Sequence, residues 1–262
     1  MKIACIQMDM VFGNPDANFR KAAELVVQAA KGGAEIIVLP ETWNTGFFPR
    51  ENLAELADSD GKITKEVFGF LARQLDVNIV AGSVANRRED GIYNTCYVFD
   101  RRGNCVADYD KTHLFTPMGE DKHFEKGDHL APFLLDGVKC GLIICYDIRF
   151  PELTRTYALD GLDVLFIPAQ WPAVRIPHLI ALSKARAIEN QMFTVTCNSC
   201  GTAGKTVYGG HSVIFDPWGE LKSEAGPEEE IISADLDLSI LKNIRETINV
   251  FRDRRPELYH SK

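Results

Sequence analysis

The sequence predicts an α+β fold in which two mixed β-sheets pack face to face with helices on both outer faces, a four-layer αββα sandwich. Three observations lead there. About ten or more strand-like runs stand against roughly four or five amphipathic stretches, more strands than one open sheet carries without curling or splitting. The first third runs strand, helix, strand, helix, strand, the rhythm of a parallel sheet covered by helices. The middle then changes to a hairpin, which adds antiparallel strands and makes the sheets mixed.

Residues 2–8 read as the first strand. Asn14 can cap the helix that follows, and Pro15 suits its first turn. Phe19, Ala22, Ala23, Val26, Val27 and Ala30 recur at helical spacing until Gly32-Gly33 stops the pattern. A β-branched run at 35–40, a helical stretch at 62–75 and the run Asn78–Val84 complete a βαβαβ unit. Tyr93–Asp100 and Cys105–Tyr109 face each other across Arg101-Arg102-Gly103-Asn104, a compact turn, and read as an antiparallel hairpin. A polar loop at 112–130 leads to strands near 132–135 and 138–144, then a helix near 151–160. The strand Asp163–Pro168, a helix near 177–190 and the strand Met192–Cys197 follow. Strands near 211–216 and 230–235 close the sheets around Glu224–Glu230, read as a solvated turn. A short helix near 237–245 precedes an arm at 247–262, and no internal repeat is visible.

With 262 residues, 45% of them apolar, and no shift in composition between its halves, the chain reads as one domain over 1–246 followed by that arm. A formal charge of −8 and a pI near 5.3 disfavour nucleic acid or an anionic membrane as the main partner, leaving a small molecule. Residues 1–8 enter a strand with no basic-then-apolar leader. The longest apolar runs hold about five to eight residues, against the roughly 20 a spanning helix needs, so no membrane role is expected. Seven cysteines is an odd number, and Cys5, Cys96, Cys105, Cys140 and Cys145 lie in or beside apolar strands, as reduced core residues do. That usage points to a reducing cytoplasm. Cys197 and Cys200 have C-x-x-C spacing but no second pair. The histidines at 113, 123, 129, 178, 211 and 260 form no H-x-x-x-H pair, so no metal is expected. Gly201-Thr-Ala-Gly204-Lys-Thr206 ends like a phosphate loop but lacks its glycine spacing, and no cofactor is expected.

Three strand ends carry chemistry. Glu35–Glu41 ends a β-branched run in a carboxylate, Val106–Lys111 ends another in an amine, and Val138–Cys145 ends a third in a thiol that opens straight into a helix. Such residues can converge at one edge of a sheet. A free thiol with pKa about 8.5 is only a few per cent thiolate at neutral pH, so a nucleophilic Cys145 needs a base or a cation. Glu41, held by Pro40, and Lys111 can supply one each. Taken singly, each has a plainer reading: an inert strand cysteine, a surface carboxylate, a lysine at a hairpin end.

Together they form a pattern. Pro40-Glu41, Lys111-x-His113-Leu-Phe115 and Gly141-Leu-Ile-Ile-Cys145-Tyr-Asp-Ile-Arg-Phe-Pro-Glu152 resemble the three signatures of the nitrilase, or carbon–nitrogen hydrolase, superfamily. Arg186–Gln191, Gly210–Gly219 and Phe251–Tyr259 extend the resemblance over essentially the whole chain. It implies Glu41 as general base and acid, Lys111 as oxyanion stabiliser with the Tyr146 N–H, and Cys145 as nucleophile. Glu120, ahead of Gly127-Asp128, matches a further family carboxylate and is expected to position Lys111 or substrate. The implied reaction passes through a thioester without a cofactor, and the family implies a homodimer with the arm at 247–262 reaching over the neighbour.

Cys145-Tyr-Asp-Ile-Arg-Phe-Pro-Glu152 and the Phe251-Arg-Asp-Arg-Arg255 tail are most similar to the ω-amidase branch, which hydrolyses the terminal amide of 2-oxo acids such as 2-oxoglutaramate and 2-oxosuccinamate. Arg149, four residues past Cys145, can fork onto a distal carboxylate, or instead bridge to a nearby acid. After Pro168 the chain departs from the eukaryotic pattern, and Trp171 and Arg175 are expected to reshape the substrate pocket. The alternatives are hydrolysis of N-carbamoyl amines or nitriles with the same three residues, and a catalytically silent binding protein on the same fold.

Overall fold

The computed structural model describes residues 1–47, 49 and 51–259. The first half of the chain forms β1 (Lys2–Gln7), α1 (Pro15–Lys31), β2 (Ile36–Val38), α2 (Leu53–Leu56), β3 (Asp58–Ser59), α3 (Lys62–Leu75), β4 (Asn78–Arg88), β5 (Gly91–Phe99) and β6 (Cys105–Asp110). The second half forms β7 (Phe133–Leu135), β8 (Val138–Leu142), α4 (Pro151–Leu159), β9 (Val164–Pro168), α5 (Ile176–Asn190) and β10 (Phe193–Cys197). Then come β11 (Cys200–Ala203), β12 (Thr206–Gly209), β13 (Val213–Phe215), β14 (Leu221–Glu224), β15 (Glu230–Asp235) and α6 (Ile240–Thr247).

Two mixed sheets result, as expected. One runs β15-β1-β2-β4-β5-β6 with β3 against β4, and the other runs β14-β13-β10-β9-β8-β7. Each has three parallel strands at its centre, β1-β2-β4 and β8-β9-β10, with antiparallel strands outside them except the short β3, which runs parallel to β4. α1 and α3 cross over in the first, α4 and α5 in the second. The two halves therefore share one plan that no sequence repeat announces, because a crossover unit needs only a pattern of apolar positions.

Strand periodicity sorts the side chains into layers. In β1, Ile3 and Cys5 face the second sheet, where the central core also takes in Val38, Val80, Cys140, Leu142, Val164, Phe166 and Val195. Ala4 and Ile6 face the opposite way, onto Phe19, Ala22 and Val26 of α1 and Phe68 and Ala72 of α3. Each fully buried Val, Ile or Phe contributes about 1.5–3 kcal/mol, so a charge at Val26 would cost α1 its docking face. Asn14 caps α1 by accepting from Ala17 N–H at 3.1 Å. α5 covers the other outer face, where Ser183 and Thr196 of β10 share a 2.8 Å hydroxyl contact.

Some elements differ from expectation. β4 continues to Arg88 through the polar residues Asn86-Arg87, because pairing with Gly91–Asn94 of β5 extends the ladder past a bulge between Val80 and Ser83. The glycine-rich stretch is the β11–β12 hairpin, turning over Gly204-Lys205 with Gly204 at φ +61°. β3 and β14 were not anticipated. Both are short and polar. Cys105 is exposed rather than in the core, since it begins an edge strand with one open face. The Glu224–Glu230 turn is anchored, with Ala225 buried and the Gln7 amide donating to the carbonyls of Gly226 and Glu228. No helix among the described residues is long and apolar enough to cross a membrane.

Candidate active site

Glu41 follows β2 and Lys111 follows β6 in the first sheet, while Cys145 follows β8 in the second. The C-terminal strand ends of both sheets meet there. Glu41 N–H donates to Ala169 O just beyond β9, at 3.3 Å, and Gln170 N–H donates to Glu41 Oε2 at 2.9 Å. The turn carrying Glu41 is gripped by the β4 bulge: Ser83 N–H donates to Pro40 O, Thr42 N–H donates to Ser83 Oγ, and Trp43 Nε1 donates to Ala81 O. Gly82 makes this possible, since a Cβ there would lie 2.1 Å from Pro40 O and its φ is +62°.

Cys145 opens a 3-10 turn over Cys145–Arg149 with φ +48°, a left-handed conformation that a non-glycine residue adopts only when its surroundings hold it. Asp147 supplies that hold. Its buried carboxylate accepts from Ile144 N–H, Tyr109 O–H and His113 N–H, and lies 2.8 Å from His113 Nδ1. His113 in turn stacks on Phe150 with centroids 3.7 Å apart. The lysine loop and the cysteine turn are thereby tied together.

Glu41, Lys111 and Glu120 are fully buried and in mutual contact. Lys111 Nζ donates to Glu41 Oε1 at 2.7 Å and to Glu120 Oε1 and Oε2 at 3.0 and 2.9 Å. Glu120 Oε2 also accepts from Phe115 N–H at 2.6 Å. Cys145, 7% exposed, lies close enough to Glu41 and Lys111 for both to act on its thiol electrostatically. Burial pushes the Glu41 carboxyl above its ordinary 4.5; Lys111 pulls it back only in part, and Glu120 adds to the rise. Burial also pushes the Cys145 thiol well up, reinforced by Glu41 and opposed by Lys111. Burial pulls the Lys111 ammonium down, but Glu120 and Glu41 outweigh it and leave it well above the usual lysine range. The resting pair is therefore a thiol beside a carboxyl able to take its proton, next to a permanent cation.

In front of Cys145 lies a pocket lined by Lys111, Cys145, Tyr146, Arg149, Trp171 and Arg175 among others. Glu41 and Glu120 stand behind its wall. Arg149 does not bridge to an acid among the described residues. Its guanidinium stacks 4.9 Å above the Trp171 ring, with Nη2 3.3 Å from His178 Nδ1. Arg175 lies 5.3 Å over the Phe115 ring. No His, Cys, Asp and Glu cluster able to hold a metal occurs among the described residues, and His260 lies outside them.

The carbon–nitrogen hydrolase family model matches residues 2–246. The chain belongs to this carbon–nitrogen hydrolase family. It is 44% identical over 257 residues to the 2-oxoglutaramate amidase of Bacillus subtilis (strain 168), covering 98% of each chain. The ω-amidase NIT2 of Xenopus tropicalis is 35% identical, with 92% of this chain and 91% of that one covered. Among solved structures, Saccharomyces cerevisiae Nit3, a member of branch 10 of the nitrilase superfamily, superposes with a TM-score of 0.89 at 28% identity, covering 97% and 96%.

The hydrolase site includes three residues that sequence reading missed. Asn94 Nδ2 donates to Glu41 Oε1 at 2.9 Å and to Glu120 Oε1 at 3.3 Å, holding both carboxylates in place around Lys111. Its signal was a carboxamide inside the apolar run Tyr93–Phe99. Asp147, which braces the cysteine turn, lies within a recognised motif, and Gln170, whose N–H meets Glu41, lies in the segment after Pro168 that departs from the eukaryotic pattern; the partners of both are distant in sequence.

Proposed function

We propose that this hydrolase is an ω-amidase that converts 2-oxoglutaramate or 2-oxosuccinamate to the 2-oxo dicarboxylic acid and ammonia, with Glu41, Lys111 and Cys145 as its catalytic residues. The observation that carries the reading is a cavity with the Cys145 thiol at its base, the Glu41–Lys111–Glu120 cluster behind it and a guanidinium free of acid partners at its side. The named activities of the two relatives support it.

Glu41 takes the Cys145 proton as sulfur attacks the amide carbon. Lys111 Nζ and the Tyr146 N–H receive the oxyanion; Tyr146 stands in the first turn after the strand, where amides have no intrahelical acceptor. Glu41 returns the proton to the departing nitrogen, and ammonia leaves a thioester. Glu41 then deprotonates water, which attacks the thioester. Collapse expels sulfur, which recovers its proton, and the carboxylic acid departs. Glu120 positions Lys111 through two hydrogen bonds and keeps it charged. Arg149 pairs with the distal carboxylate, while Trp171 and Arg175 shape the space around it.

The proposal includes a homodimer and a reducing, cytoplasmic setting. All seven cysteines are free thiols. Leu159, Leu258 and Tyr259 leave an exposed apolar surface beside α4 and the arm, and Arg155 Nη1 is buried there with no hydrogen-bond partner among the described residues. The test of the chemistry is ammonia release from the two oxo-acid amides beside N-carbamoyl-β-alanine and a simple nitrile. Turnover of the ureido acid or nitrile alone would replace the substrate assignment while keeping the residues.

A further inference from the structure

The cavity in front of Cys145 carries a local charge imbalance within a chain of net charge −8. None of its lining residues is acidic, and Lys111, Arg149 and Arg175 are cationic. Lys111 is balanced by the two glutamates behind it. Arg149 and Arg175 face no carboxylate within ion-pair distance among the described residues, and each lies against an aromatic ring. Ring stacking occupies the flat face of a guanidinium and leaves its N–H edge available, apart from the Arg149 Nη2 that meets His178.

Trp171 holds both arginines. Its ring supports Arg149, and its Nε1 donates to Arg175 O at 2.8 Å, fixing the turn from which Arg175 projects. That second contact is to the backbone and survives replacement of the Arg175 side chain. Phe47, Phe115, Met118 and Pro172 supply apolar walls, where charge acts more strongly than in water.

We infer that Arg175 is a specificity-determining residue which, with Arg149, clamps the 2-oxo carboxylate end of the substrate. The inference deepens the proposed ω-amidase activity and rests on that reading. One fork from Arg149 takes up one lone pair on each oxygen of a simple carboxylate. A second guanidinium beside it discriminates between acids where another acceptor lies next to that carboxylate, as the oxygen of a 2-oxo acid does, because that oxygen gives its N–H groups a partner a simple acid lacks. An amino group in the same place brings an ammonium against two cations, so glutamine and asparagine are disfavoured.

The test separates clamp from chemistry. Binding of 2-oxoglutarate and of glutarate, which differ only in the oxo group, is measured by calorimetry on the parent, Arg175→Met and Arg175→Lys, alongside turnover of 2-oxoglutaramate by the parent. The clamp requires the parent to bind 2-oxoglutarate at least about tenfold tighter than glutarate, the worth of one charge-assisted hydrogen bond. It requires that difference to vanish in Arg175→Met and to shrink in Arg175→Lys, which keeps the charge without the fork. Equal binding of the two acids by the parent, or an unchanged difference in either folded variant, overturns it. Failure of the parent to turn over 2-oxoglutaramate, with the binding difference present, overturns the activity and not the clamp.

Discussion

At the scale of single residues, the site consists of buried charges that neutralise one another. Lys111 is the only cation between Glu41 and Glu120 among their described contacts, so Lys111→Met leaves two buried carboxylates facing each other. Breaking such a cluster costs about 3–5 kcal/mol, and urea unfolding will show a loss of that size together with lost turnover. As the proposed base, Glu41 can act only when ionised. Because its pKa is raised, kcat/KM will climb with pH along an acid limb lying above 4.5, and a limb at or below 4.5 contradicts the assignment. The same shift means that the contribution of Glu41 to stability is full below 4.5 and fades as pH rises through the higher folded value. Glu41, Lys111 and Cys145 stood out in the sequence because each follows a strand-like run and falls in a family signature, and the structure brings the three to one edge. Asn94 did not stand out, since nothing local tells that its amide will lie between two carboxylates far along the chain.

At the scale of elements, two irregularities aim the side chains. The bulge in β4 grips the Glu41 turn, and the left-handed Cys145 at the end of β8 directs its thiol toward it. Gly82→Ala sets a methyl against Pro40 O and forces a positive φ on a residue that resists it. We expect a loss of about 2 kcal/mol or more in stability, with kcat falling further than the stability loss explains because Glu41 moves with Pro40. Parental kcat in that variant would show that the bulge does not position the carboxylate. Regular elements were legible as periodic runs. The bulge, β3 and the β11–β12 hairpin were not, because their residues are polar or glycine-rich and take strand geometry from partners already in place.

For the whole molecule, the number of strand-like runs, their rhythm with the helical stretches and the central hairpin sufficed to foresee two sheets and four layers, and the two sheets then bring three distant chain segments to one edge. The proposed dimer belongs to this scale. Light scattering at micromolar concentration will give twice the 29.3 kDa chain mass, and a monomeric mass defeats it. Cys145→Ala removes one buried sulfur and strands no new charge, so the folded chain will keep its melting transition and lose its turnover. The most direct measurement is ammonia release from 2-oxoglutaramate and 2-oxosuccinamate by the parent and by Cys145→Ala. Rapid release by the parent and none by the variant is the predicted result; release by the variant within tenfold of the parent, or none by the parent, contradicts it.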